Sequence, residues 1–126
     1  MTIRSLGRRT DLIFANFSGS VIDKGHYTLV KTPGNPGYHW GNFIIFDQEP
    51  KSGDLKKWTE LFDKEFEYYS EPHHYTFTWD TEAPNKGEYQ EFIDSGFEFD
   101  SAIVLTATEL NPPKILNSQV SVRKIN

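Results

Sequence analysis

The residues with the clearest capacity for chemistry lie in the segment 47–54, Asp-Gln-Glu-Pro-Lys-Ser-Gly-Asp, between a short apolar run and an amphipathic stretch. A loop that ends where a helix begins presents unpaired backbone N–H groups and the positive end of the helix dipole, which suits it to hold an anion. What that loop can hold decides the functional reading of the chain. A second constellation is Tyr38-His39-Trp40, closing a stretch with two prolines and two glycines in nine residues. It reads either as an aromatic platform for a ligand or as two rings folded onto the core, and His39 has no evident partner in sequence. The pair His73-His74 suggests a metal, but adjacent residues at a strand start point to opposite faces, so no metal site is expected. Glu65, Glu67 and Glu71 read as a solvated helix face.

The elements that would position the loop are legible from periodicity. Residues 43–46, Phe-Ile-Ile-Phe, form an unbroken apolar run too short for a helix and bounded by Gly41 and Pro50, which predicts a central strand buried on both faces. From Asp54 onward Leu55, Trp58, Leu61, Phe62, Phe66 and Tyr69 recur at three- and four-residue steps, the pattern of an amphipathic helix lying on that strand. Residues 12–17 (LIFANF) read as a first strand, and residues 21–31 as a second run broken by a tight turn or bulge at 23–25. Tyr75, Phe77 and Trp79 alternate with threonines as a half-buried strand bounded by Pro72 and Asp80. Tyr89, Phe92 and Ile93 share a face of a short helix that Gly96 stops, and residues 97–108 read as a long strand centred on Ile103, Val104 and Leu105. The resulting order, β-β-β-α-β-α-β, predicts an α+β domain, layered as helices on a mixed sheet, over residues 1–110. Asn111-Pro112-Pro113 closes it, and 111–126 reads as a linker followed by a strand at 119–125.

Composition narrows the function classes. With no cysteine among 126 residues there is no disulfide scaffold, thiolate zinc site or cysteine nucleophile. A net charge of −5 disfavours nucleic acid as a partner, since phosphate recognition needs clustered cations. The cluster Arg4, Arg8 and Arg9 reads as a solvated tail. No apolar run approaches the roughly 20 residues of a membrane span, so no membrane association and a cytoplasmic setting are expected. No nucleophile elbow is visible, which removes support for a hydrolase.

Two segments carry a resemblance to a known family. The stretch 85–98, Asn-Lys-Gly-Glu-Tyr-Gln-Glu-Phe-Ile-Asp-Ser-Gly-Phe-Glu, resembles the Asn-x-x-Ala-x-x-Phe-Tyr-x-x-x-Gly-Phe segment of the GNAT superfamily of acetyl-CoA-dependent N-acetyltransferases. Asn85, Gly96 and Phe97 match. The strand, loop and helix of 43–66 resemble that family's pyrophosphate-binding unit, and 121–125 (SVRKI) looks like the first strand of another such domain. The whole looks like the N-terminal half of a tandem bacterial protein. The resemblance implies a GNAT-like mixed sheet, acetyl-CoA as cofactor if the domain is active, and a C-terminal GNAT domain as partner. It implies Lys51, Ser52, Gly53, Asp54 and Asn85 as cofactor-binding candidates, with Glu49 or Glu91 as base toward an amine.

The departures from the family pattern are chemical. The family loop, Gln/Arg-x-x-Gly-x-Gly/Ala, wraps phosphates in bare amides, whereas here one glycine remains, Pro50 removes an amide and three carboxylates occupy the segment. The tyrosine that protonates the departing thiolate is replaced by Phe92, leaving Tyr89, one turn earlier, as the candidate donor or a core ring. The family's alanine is Glu88, read as a solvent-facing helix residue. Two functions are therefore expected in competition: a degenerate, non-catalytic GNAT-fold domain needing no cofactor, or an active N-acetyltransferase of unknown amine acceptor. Ligand binding through Tyr38 and Trp40 is a weaker third. Exposed aromatics at 35–40 would also suit a homodimer contact.

Overall fold

A computed structural model describes residues 1–69, 74–81, 83, 85–109 and 111–125. The element order is α1 (Leu6–Ser18), β1 (Ser20–Asp23), β2 (Tyr27–Lys31), a 3-10 turn (His39–Gly41), β3 (Phe43–Phe46), α2 (Asp54–Glu65), β4 (Phe77–Trp79) and α3 (Gln90–Asp94). The four strands form one sheet in the order β1-β2-β3-β4. β1, β2 and β3 are successively antiparallel, with Val21 opposite Val30 and Val30 opposite Phe43. β4 runs parallel to β3, with Ile44 opposite Phe77, so α2 is the crossover between them. The fold is α+β, and Phe43–Phe46 is an internal strand buried at every position.

Strand alternation divides the core into two. Leu29, Ile44 and Phe46 point to one side, where Trp58, Phe62 and Phe66 of the α2 region and Phe92 of α3 cover them. Phe46 stacks on Trp58 with ring centroids 3.8 Å apart and planes 12° from parallel. Val30, Phe43 and Ile45 point to the other side, where Leu12 of α1 covers them with help from Met1, Ile3, Ala15 and Val21. The buried Asn42 side chain organises the turn-rich segment before β3. Its Oδ1 accepts from Thr32 N at 2.9 Å and its Nδ2 donates to the carbonyls of Asn35 and Tyr38, both at 2.9 Å.

Several expectations need correction. Residues 12–17 are helix, not strand, because the helix starts earlier, at Leu6, where Ser5 Oγ and the buried Asp80 carboxylate accept backbone N–H groups. Only one side of that apolar run faces the sheet, so its uniform hydrophobicity misled the period. The helix ends against Gly19, where a Cβ would collide with the Lys31 carbonyl. Arg4 and Arg8 are not a solvated tail: the Arg4 guanidinium donates to Asp80 O at 2.8 Å and that of Arg8 to Thr78 Oγ1. Burial lowers the Arg8 pKa, and the nearby charges of Asp11 and Asp80 partly oppose this.

The turn at 23–25 closes a true hairpin, with Gly25 at φ +92° and its N–H donating to Asp23 Oδ1 at 2.8 Å. Glu65 does not face solvent; it accepts from Tyr27 Oη at 2.7 Å. The strand begins only at Phe77, and Tyr75 instead donates its hydroxyl to Asp63 at 2.7 Å. Pro72, Glu71 and His73 lie outside the described residues.

The long strand expected at 97–108 is not formed. Phe97 and Phe99 do turn inward, against Phe77 and Tyr89 respectively. Beyond them Ile103 and Leu105 are 88% and 89% exposed, having no neighbouring strand on which to bury their apolar faces. Residues 119–125, expected as a further strand, likewise form none and are exposed. No helix among the described residues is long and apolar enough to cross a membrane.

Candidate functional site

The candidate site is the junction of β3 and α2, which the fold places beside the start of α3. β3 delivers the chain to residue 47, and the buried Pro50 stiffens the way to Gly53, whose φ of +84° lets the backbone turn into α2. Segment 85–91 folds across this loop. Glu88 N donates to Pro50 O at 2.7 Å. Asn85 Nδ2 donates to Glu49 Oε1 at 2.6 Å, and Asn85 O accepts from Trp79 Nε1 at 2.8 Å. Gly87 lies so close to Pro50 O that a Cβ there would clash, and its φ of +63° also favours glycine.

Three loop amides already donate to carboxylates of the same chain, and that of Asp54 donates to Lys51 O at 3.0 Å. Lys51 N donates to Asp54 Oδ2 at 2.9 Å, and Ser52 N to Glu88 Oε2 at 3.0 Å. Gly53 N donates to both carboxylate oxygens of Glu91, at 3.2 and 3.1 Å. Pro50 has no N–H to offer. Ser52 Oγ reaches Glu91 Oε1 at 3.4 Å, and the ammonium of Lys51 turns aside to Gln48 Oε1 at 2.8 Å. Two of these three carboxylates, Glu88 and Glu91, come from more than thirty residues away in sequence and sit in front of the positive end of α2.

The structure brings together Lys51, Ser52, Gly53, Asp54 and Glu91 as one hydrogen-bonded cluster, with Glu49 and Asn85 paired beside it. It sets Tyr89 apart. That residue is the N-cap of α3, and its half-buried ring packs on Phe99 at 4.9 Å between centroids. Phe92 is buried under Trp58 and Phe77. Glu88, read from sequence as a helix residue facing solvent, is exposed but precedes α3, where its carboxylate accepts from Ser52 N. No short-range pattern could have revealed it, since its partner lies 36 positions away.

An open cleft of about 560 Å³ adjoins the cluster at the carboxyl ends of β3 and β4, a common ligand position in sheets with parallel strands. Met1, Arg4, Asp47, Glu49, Asp80 and Asn85 are among its lining residues. Asp80 is committed to the backbone N–H groups of Arg4 and Ser5. Of the anticipated site residues only Glu49 and Asn85 face this cleft.

The 35–40 segment stands elsewhere. Tyr38 and Trp40 are each about half exposed, with Trp40 edge-on to Phe43 at 6.0 Å. His39 lies 6.1 Å from the His74 ring. Among the described residues no group of three or more His, Asp and Glu side chains is placed to hold a metal ion. The chain matches no family model, no curated protein and no solved structure.

Proposed function

We propose that this chain is a GNAT-like domain that has lost cofactor binding at its pyrophosphate loop and serves as a non-catalytic packing and interaction module, the N-terminal half of a cytoplasmic acetyltransferase-family protein. Support for the fold-level part comes from the succession of elements. A buried strand, a loop, a crossover helix, a parallel strand and a short helix ending at Gly96-Phe97 follow one another as the resemblance implies. The strand expected next is absent.

One observation carries the loss of cofactor binding: the carboxylates of Asp54, Glu88 and Glu91 hold the N–H groups of Lys51, Ser52 and Gly53. A pyrophosphate arriving there would have to break these bonds and then lie beside the displaced charges. Two like charges 4 Å apart near a protein surface repel by about 4 kcal/mol, and the Lys51 ammonium offsets only part of that. Titrating the chain with acetyl-CoA in a calorimeter is expected to show no heat of binding. Micromolar affinity would overturn the proposal.

The competing reading, an active N-acetyltransferase, draws on the Glu49 carboxylate beside the open cleft, where it could accept a proton from an amine. Glu91 is less available for that role because both its oxygens serve Gly53. Release of CoA thiol in the presence of an amine panel would decide for this reading.

A further inference from the structure

Helix α1 is amphipathic in an unusual sense: both of its sides are apolar. Leu12 and Ala15 face the sheet. At 100° per residue Leu6, Thr10, Ile13 and Phe17 line up on the opposite side, with Phe14 on the flank. They are not covered: Leu6 is 53%, Ile13 63%, Phe14 74% and Phe17 94% exposed. Val104 packs in the notch above Gly7, where a Cβ would collide with it, and so continues the patch from Leu6 toward Ile103 and Leu105.

We propose that this stripe is a homodimer interface, in which α1 of one copy packs antiparallel on α1 of a second copy. Three features select a second copy as the occupant. The first is area. Taking roughly 200 Å² per ring and roughly 150 Å² per aliphatic side chain, the four residues leave about 500 Å² of apolar surface per copy, and about 1,000 Å² across a pair meets the lower bound of a specific interface.

The second is self-complementarity: an antiparallel pairing that sets Leu6 opposite Phe17 also sets Thr10 opposite Ile13, so in each pair the smaller side chain meets the larger. The third is charge. α1 carries no acidic residue in its first turn and no basic residue in its last, while exposed Arg9 sits toward the positive end. Antiparallel pairing brings Arg9 toward the last turn of the partner helix, where a cation is favoured, and opposes the two helix dipoles. A lipid surface fits less well, because the chain is net negative at −5.

The seam is independent of the cofactor question. Light scattering on the eluting protein over a concentration series is expected to give the dimer mass. Ile13→Asp and Phe17→Asp, both at exposed positions, should give monomers with unchanged far-UV circular dichroism, a weakening of Kd by roughly a hundredfold or more. Tyr38→Ala should leave the dimer intact. Since the chain has no cysteine, Leu6→Cys mixed with Phe17→Cys should give a crossed disulfide under mild oxidation, whereas Leu6→Cys alone should not pair with itself. A monomer at all concentrations, a dimer that survives Phe17→Asp or is lost with Tyr38→Ala, or self-pairing of Leu6→Cys would each overturn the proposal, as would flotation of the monomer with phosphatidylglycerol vesicles.

Discussion

The two faces of the sheet are finished to different degrees. On the α2 side rings meet rings: Trp58 contacts Phe46, Phe77 and Phe92, and Phe62 stacks on Phe66 at 4.3 Å. On the α1 side one residue of the helix, Leu12, is buried, and the apolar surface continues outward instead of ending in polar groups. The first face is a closed core that fixes the loop at 47–54 against α3. The second is half of a layer, and its outer side wants a cover. A small α+β domain can thus place its rigidity on the side that holds a site and leave its unspent hydrophobicity on the other.

The comparison breaks most directly at its two anchors. Trp58→Ala removes the ring that joins β3, β4 and α3, and should cost about 3–5 kcal/mol in urea unfolding. Leu12→Ala deletes the central contact of the thinner face and should cost about 2 kcal/mol, the low end for a buried leucine. Equal costs would mean that the two faces are equally built. The ring change should also abolish protection of the Gly53 and Glu88 amides in hydrogen exchange, because α3 loses its floor, while the leucine change should spare them.

How much of this was legible in sequence follows from the range of the interactions. The β3 run, the α2 stripe and the Gly96 stop depend on local periodicity or a single backbone angle, and they were readable. The helix at Leu6–Ser18 was not, because its start is fixed by Asp80, more than seventy residues away, and its two-sided hydrophobicity hides the helical period. The apolar triplet at 103–105 has strand propensity, but propensity alone forms no strand when no edge takes it up. At the site the loop's acidity and Pro50 were visible in sequence. That Glu88 and Glu91, rather than Asp47 or Glu49, are the carboxylates on the Ser52 and Gly53 amides depends on where α3 docks, which only packing decides.

The next tests compare the two helix starts. Asp80 is buried and accepts the N–H groups of Arg4 and Ser5, so Asp80→Asn should cost about 2–3 kcal/mol, the scale for losing a charge-assisted buried bond. The loss should appear first as faster exchange of the α1 amides. At α2 the carboxylates are more open to solvent, and the pair Glu88→Gln with Glu91→Gln should cost only about 1 kcal/mol. That double variant carries a second readout. If the carboxylates are what keeps anions off the loop, inorganic pyrophosphate should bind the variant detectably and the parent chain not at all. Binding to neither would show that Pro50 and Asp54 suffice to close the site.

The smallest effect distinguishes the faces by their polar edges. On the α2 side, Tyr27 of β2 donates its hydroxyl to Glu65 at the helix end, and Lys24 lies 3.5 Å from the same carboxylate. Burial, reinforced by that bond and by the Glu65 charge, pushes the Tyr27 pKa up to about 12. The unfolded chain ionises this phenol near its ordinary value of about 10. Between those two values the unfolded state therefore holds fewer protons than the folded one, and stability must fall as pH rises. Below that window the contribution is fully present. Tyr69, raised by burial, and Tyr75, raised mainly by its bond to Asp63, shift in the same direction and add to the slope. The urea midpoint should consequently stay level to the start of the window and decline through it, and Tyr27→Phe should flatten the largest part of that decline. A slope unchanged in Tyr27→Phe would place the alkaline sensitivity elsewhere and remove the Tyr27–Glu65 bond as the polar edge of the α2 face.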